Sequence, residues 1–141
     1  MPYATQADLV ERFGETEIIQ LSDRDRTGAI ESAVVTAKLA DADAEIDAYL
    51  ATRYTLPLAS VPTVLKRVAC DVARYHLFDD RVTDDVRRRY EDALKFLQAV
   101  AKGTVSIGVD PIGQAPASSD LPDHCAPDPV FDRKTLGDFT R

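Results

Sequence analysis

The strongest constraint on the fold is a pair of helical patterns separated by a short proline turn. Between residues 46 and 78 one pattern ends near Thr52–Tyr54, the turn Leu56–Leu58 (LPL) follows, and a second pattern begins at Ser60. The apolar positions of the second pattern recur at the one-sided spacing of a packed helix. They are Val61, Val64, Leu65, Val68, Ala69, Val72, Ala73 and His76. The stretch holds no nucleophile–base pair, metal cluster or phosphate loop, so it favours a structural part over a catalyst.

Two more segments carry the same spacing. One long helix is predicted from about Ala29 to Thr52, where eight alanines favour helix and permit close approach of a neighbouring helix. Another is predicted from its cap Thr83 to Lys102, and Gly103 ends it. The first apolar stripe is Val35, Leu39, Ala42, Ile46 and Leu50, and Ile30, Val34 and Ala37 are predicted to widen it. The second is Val86, Tyr90, Ala93, Leu94, Leu97 and Val100. Together with a helix over residues 60–79 they predict a three-helix core, centred on Leu65, Val68, Val72, Leu94 and Leu97.

The ends of the chain carry weaker signals. The sequence TQAD at residues 5–8 has the form of a capping box, which predicts a short helix that ends at Gly14, and Thr16 is the predicted cap of another. In residues 104–109 (TVSIGV) apolar side chains alternate with small or polar ones, which is typical of a strand. Residues 111–141 hold five of the eight prolines, a linker-like composition, and yet close on an apolar cluster. The anchors of that cluster are Phe131, Leu136 and Phe139.

These patterns predict an all-α protein. The expected architecture is a compact bundle of three main helices with short N-terminal helices, one β-strand and an extended C-terminal tail. Residues 1–110 form the predicted helical domain, and residues 111–141 form the proline-rich tail. A chain of 141 residues, 45% of them apolar, has room for one such core.

Charge and composition disfavour several classes of function. The net charge of −7 gives an acidic surface, which repels phosphate backbones and argues against an ordinary nucleic-acid binder. No run approaches the roughly 20 apolar residues that span a membrane, and the N-terminus lacks the pattern of a secretory signal. The two cysteines, Cys70 and Cys125, make no disulfide framework, so a reduced, cytosolic setting is expected.

One loop begins like a calcium site. From Asp23 onwards, oxygen-bearing side chains occupy loop positions 1, 3 and 5, and Gly28 occupies position 6. Position 12, which needs a bidentate glutamate, is Val34. The cage would be open on that side, so tight calcium binding is not expected and a solvated loop before the long helix is predicted.

The other candidate sites, a metal cluster, a catalytic pair and a basic stripe, are disfavoured because their residues do not have the required spacing. Residues 120–128 crowd three aspartates, His124 and Cys125 together without a second cysteine or histidine at ligand spacing. Cys70 and His76 lie about 120° of helix rotation from a shared face. The arginines at 87–89 fan out over roughly 200°, too wide for one basic stripe. No catalytic residue, metal site or cofactor is therefore predicted, and the protein is not expected to be an enzyme.

Several blocks of the sequence, taken in order, resemble one known family. Residues 3–14 read YATxxDLxxRFG, and residues 44–58 read AxIDxYLxxRYxLPL. Residues 61–66 and 69–77 continue as VPxxLK and ACDxARYxL, and residues 131–139 read FxRxxLxxF. In this order they are similar to the Mu-like tailed-phage structural protein family.

The resemblance implies an α-helical head–tail connector, that is, a head-completion or adaptor protein. Such a protein forms a ring, typically of twelve subunits, beneath the portal and joins the DNA-filled head to the tail. The implied partners are other copies of the chain, the portal protein, tail or neck proteins, and DNA that passes through the lumen without sequence-specific contact. The implied location is the virion neck, after synthesis in the host bacterial cytoplasm. No membrane partner is expected.

A closed ring needs two complementary faces on each subunit. Because Asp41 and Glu45 lie one turn apart, our hypothesis is that they meet the basic run of the next subunit, while the tail anchors dock on another subunit or on a portal or tail protein. The hypothetical interface is Asp41, Glu45, Arg87, Arg88, Arg89, Phe131, Leu136 and Phe139. The alternatives are another virion part, such as a tail terminator, and a monomeric helical module that binds calcium or a small ligand.

Overall fold

The structure is a computed structural model that describes residues 2–79 and 81–111. This part of the chain is all-helical and contains five helices and no strand. None of the helices in these two ranges is long and apolar enough to cross a membrane. The helices are α1 (Gln6–Phe13), α2 (Glu15–Ser22), α3 (Ser32–Leu50), α4 (Thr63–Leu77) and α5 (Asp84–Lys102).

The core lies between the three long helices. Helix α4 packs against both α3 and α5, and α1 and α2 cover one end of the bundle through contacts with α3 and α4. The predicted stripe of α3 is confirmed at its five main positions, which are all buried and at most 7% exposed. Of the three residues predicted to widen it, Ile30 and Val34 are partly buried. The prediction is wrong for Ala37, which is exposed because it lies on the opposite side of the helix. On α4 the central residues Leu65, Val68 and Val72 are likewise at most 1% exposed. Burial of these aliphatic side chains is the main force that holds the helices together.

On α5 the predicted stripe is right at four of its six positions. Val86, Ala93, Leu97 and Val100 are buried. Tyr90 and Leu94 lie at the edge of the core and are only partly buried. The prediction that Leu94 lies at the core centre is therefore wrong. The buried four occupy one narrow face, and the partly buried pair lies to one side of it, where none of the described helices covers α5 fully.

Two of the four predicted helix caps are confirmed. Thr5 forms the full capping box, because its Oγ1 accepts from the Asp8 amide at 3.3 Å and its own amide donates to Asp8 Oδ2 at 2.8 Å. Hydrogen bonds from Thr5 and from Lys66 lower the pKa of Asp8 to about 2. Thr83 caps α5 by accepting from the Val86 amide.

The other two caps are each wrong by two residues. Helix α2 follows Gly14 directly, so Thr16 lies inside its first turn. Helix α4 begins at Thr63 with Pro62 as its N-cap, two residues beyond Ser60. The reason is steric, because the ring of Pro62 pushes Val61 away from helical backbone angles.

The predicted strand after α5 is also wrong. Gly103 ends the helix in the left-handed conformation at a φ of 80°. The amides of Thr104 and Val105 then donate back to the Ala99 carbonyl at 3.0 and 3.4 Å. The chain turns over the helix end, and Ile107 packs into the core at 6% exposure. The alternation of this segment therefore reflects one buried anchor, and not a ladder of paired strands.

Candidate interaction surfaces

Helix α3 has a second apolar face, opposite the one it buries. Its exposed alanines recur every three or four residues, and at 3.6 residues per turn they fall within a sector of about 80°. We call this sector the alanine face; its members are Ala33, Ala37, Ala40, Ala44, Ala48 and the C-cap residue Ala51. An outward face is normally charged on a soluble helix. The alanine face instead leaves a flat surface that another helix can approach closely.

Carboxylates flank the alanine face, but they are not equivalent. Asp41 is 62% exposed, and its only ion pair among the described residues is a loose one of 4.0 Å with Lys38. Glu45 is turned inward, where its carboxylate contacts His76 Nε2 at 3.1 Å and accepts from the Tyr90 hydroxyl at 2.9 Å. Burial and this hydrogen bond raise the pKa of Tyr90. Asp41 and Glu45, which were predicted to act together, therefore face different surroundings, and only Asp41 faces solvent.

The three arginines of the basic run are all exposed on α5. Arg89 makes an ion pair with Asp85 at 3.0 Å within its own helix, and Arg88 reaches the same carboxylate only at 4.0 Å. Arg87 has no ion pair within the described part of the chain. Exposed intrahelical pairs of this kind contribute little to stability. Arg87 and Arg88 therefore remain available to a partner.

An apolar groove runs between α3 and the N-terminal segment. Tyr3 is 2% exposed and holds the segment against the helix, because its amide donates to Asp43 at 3.1 Å and its hydroxyl donates to Asp47. Burial raises the pKa of Tyr3 and of Asp43. The groove has a volume of about 550 Å³. We call it the α3 groove, and its apolar lining is Pro2, Ala4, Leu39, Ala40 and Ala44. Ala40 and Ala44 belong to both the groove and the alanine face, so the two surfaces share an edge.

A mixed-charge pocket that the sequence did not reveal lies between α1, α4 and α5. It has a volume of about 260 Å³ and brings three arginines, Arg12, Arg67 and Arg89, next to Asp71 and Asp92. Burial raises the pKa of Asp71, which faces this pocket. The charges nearly cancel, so the pocket has no strong preference for an anion or a cation. Its members come from three helices, and no local spacing signals that they meet.

In the loop that resembles a calcium site, the first carboxylate, that of Asp23, accepts hydrogen bonds from backbone amides of the same loop. Asp23 accepts from the amides of Thr27 at 2.8 Å and Gly28 at 2.6 Å. These hydrogen bonds lower the pKa of Asp23. The carboxylate thus closes a turn of the loop that leads into α3. Across the described ranges no group of three or more metal-ligating side chains comes together.

Cys70 and His76, which the sequence analysis rejected as a catalytic couple, both lie on α4. Cys70 is 1% exposed, and burial raises the pKa of its thiol to about 11, which leaves it a packed and poorly reactive side chain. His76 packs between Glu45 and Tyr90, as described above. The metal-like cluster at residues 120–128 and the anchors Phe131, Leu136 and Phe139 lie outside the described residues.

Comparison with known proteins places this helical chain in a phage family. The family model described as Bacteriophage Mu, Gp36 matches residues 3–123. The chain belongs to this family. It is 39% identical over 140 residues to gene product J of Escherichia phage Mu, which covers 97% of this chain and 99% of that protein. It is also 40% identical over 107 residues to the Mu-like prophage FluMu protein gp36 of Haemophilus influenzae, covering 76% of each. The chain is therefore a protein of Mu-like phages.

Proposed function

We propose that this Gp36-family protein is a structural part of the virion, one subunit of a head–tail connector ring beneath the portal. The observation that carries the proposal is the alanine face of α3. The core face of the same helix is filled by α4 and α5, so a helix that packs on the alanine face comes from outside the described bundle. Small side chains allow two helix axes to approach to about 8 Å, which suits repeated contacts between identical subunits.

A closed ring requires a heterologous contact between two different faces. Pairing one α3 with another α3 would bring Asp41, Asp43 and Asp47 of both copies together, and like charges disfavour that arrangement. Helix α5 offers the complementary charge through Arg87 and Arg88. We therefore assign the contact to α3 of one subunit and α5 of the next, with Asp41 as the acidic partner in place of Glu45.

The remaining partners follow from the position of such a ring. It would contain about twelve subunits, as the family resemblance implies, with the portal protein on one side and tail or neck proteins on the other. The net charge of −7 suits a channel wall, because an acidic surface lets DNA pass without binding it. The proposed location is the neck of the virion.

Filling the alanine face should prevent assembly. Ala37 is exposed in the first half of α3, and Ala37→Trp places a bulky ring where a neighbouring helix would lie. We expect native mass spectrometry to show rings for the unchanged protein and monomers for the variant. In a phage that carries the variant, electron microscopy should show filled heads separate from tails of normal length.

The control is Ala7→Trp, which adds the same ring at an exposed position of α1 and should leave assembly unchanged. Rings formed normally by Ala37→Trp would overturn the assignment of α3 to the contact. A monomeric unchanged protein, with normal phage particles from the variant, would overturn the connector proposal. Tails of uncontrolled length would favour a tail terminator over a connector.

The proposed ion pairs can be tested by exchanging their charges. Replacing Arg87 and Arg88 with glutamate should weaken ring formation at least about 10-fold, equivalent to about 1.4 kcal/mol per contact. Adding Asp41→Lys should restore part of the loss, because the pairs then form with reversed polarity. The measurement is the subunit concentration at which rings appear by light scattering. If the triple variant assembles no better than the arginine variant, the two faces do not meet.

A further inference from the structure

The α3 groove is an apolar site that the described chain leaves open. It lies on the side of α3 that faces the N-terminal segment, and its apolar lining surrounds the carboxylates of Asp43 and Asp47. No lysine, arginine or histidine is among the described residues that line it. We therefore expect an occupant that supplies a large apolar side chain together with basic side chains.

We infer that the α3 groove binds the C-terminal segment of this same chain, residues 130–139, with Phe131 as the inserted side chain. The segment lies outside the described residues, and its sequence is VFDRKTLGDF. Two aspartates, Asp132 and Asp138, balance its two basic residues, so the complementarity lies in the basic pair and not in the net charge of the segment. Phe131 is followed two and three positions later by Arg133 and Lys134. The groove offers these side chains an apolar surface and two carboxylates, Asp43 and Asp47, one helical turn apart on α3.

Charge separates this segment from the rest of the tail. Residues 112–129 contain three aspartates and neither lysine nor arginine, so the acidic groove would repel them. Arg133 and Lys134 are the first arginine and lysine after the end of the described structure at Pro111. Nineteen residues lie between Pro111 and Phe131, and at up to about 3.3 Å per residue this length reaches any point on the bundle. The segment can therefore reach the groove of its own copy or that of a neighbour.

The energetic argument is the burial of an aromatic ring. A phenylalanine that leaves water for an apolar groove gains free energy in proportion to the area it buries. The proline-rich residues before it lose less conformational freedom on docking than a glycine-rich linker would. This inference goes beyond the ring proposal and does not depend on it, because docking within one copy satisfies the same chemistry.

Photo-crosslinking of the full-length protein tests the inference. A benzoylphenylalanine in place of Phe131 keeps an aromatic ring at that position and reacts with whatever surrounds it. After irradiation, mass spectrometry should place most crosslinks within residues 2–6 and 36–47, which line the groove. The same probe in place of Leu121 should give few crosslinks there. Crosslinks from position 131 that are spread over the surface, or that match those from position 121, would overturn the inference.

Two sets of variants sharpen the result. Thr36→Trp fills the groove from a position outside the alanine face and should reduce crosslinking to the groove at least about 10-fold, whereas Ala59→Trp, at an exposed loop position, should not. Replacing Arg133 and Lys134 with glutamate should cause a similar loss without altering the described bundle. If neither change reduces crosslinking, the groove is not the docking site.

Mixing isotopically labelled and unlabelled copies then identifies the origin of the segment. Crosslinks within one copy and crosslinks between copies both support docking in the groove. Only crosslinks between copies support the predicted role of the tail as a strap in the ring. A protein that forms rings by mass and yet gives no groove crosslinks contradicts the docking alone, so this failure is distinct from failure of the ring proposal.

Discussion

Leu97→Ala is expected to lower the free energy of unfolding by about 2–5 kcal/mol. Leu97 is 0% exposed and lies on the buried face of α5, together with Ala93 and Val100. Removing most of its side chain exchanges favourable burial for a cavity that the helices fill only in part. The measurement is the midpoint of urea unfolding at one fixed protein concentration, since assembly adds to apparent stability.

Leu94→Ala is the matched control for this change. It removes the same atoms one turn earlier on the same helix, where the side chain is only partly buried. We expect a loss smaller by at least about 1 kcal/mol, because less apolar surface returns to water. Equal losses at the two positions would contradict the arrangement of α5 in the core.

Arg74→Met is expected to cost about 2 kcal/mol, although it removes only one charged group. The Arg74 side chain is 14% exposed, and its Nε donates to Glu17 at 2.6 Å. Its guanidinium also lies 4.4 Å from the ring centre of Phe13. The arginine thus ties α4 to α1 and α2, and a methionine keeps the packing of the stem while losing the ion pair and the cation–π contact. Urea unfolding measures the loss.

The control is Lys95→Met, which breaks an ion pair on the surface of α5. The Lys95 and Asp92 side chains are 72% and 75% exposed and 3.5 Å apart. Solvent screens such a pair, so we expect a change below about 0.5 kcal/mol. A loss at Arg74 no larger than that at Lys95 would show that Arg74 does not join the short helices to the bundle.

Residues close in sequence account for what could be predicted of the fold. The five main positions of the α3 stripe were predicted correctly, because a helical period of 3.6 dictates which side chains share a face, whereas Ala37 was wrongly added to them. The caps Thr5 and Thr83 were predicted for the same reason, since each bonds an amide three residues away. The cap of α4 was misplaced because the preference of serine for the N-cap position competed with the effect of Pro62 on the backbone of Val61, and the second effect prevailed.

The strand was mispredicted because alternation is ambiguous. The pattern at residues 104–109 is compatible with pairing or with a single buried anchor, and the difference lies in what the rest of the fold offers. No unpaired strand borders this segment in the described ranges, whereas the end of the core has room for Ile107. Burial of Ile107 in the core was therefore possible in this fold, whereas pairing with a second strand was not.

For the candidate surfaces, too, the sequence predicted the local patterns, whereas the contacts between distant residues became known only from the tertiary structure. The sequence by itself determined that the chain is helical, that α3 is rich in alanine, and that α5 begins with a basic run. Only the tertiary structure decided that the alanines face outward, that Glu45 is bound by His76 and Tyr90, and that Tyr3 closes one wall of a groove on α3. Periodicity is dictated by backbone geometry within a few residues. Which faces are covered depends on contacts between residues 30 or more positions apart, as in the pairs formed by Glu45 and Tyr3, and no local pattern encodes those contacts.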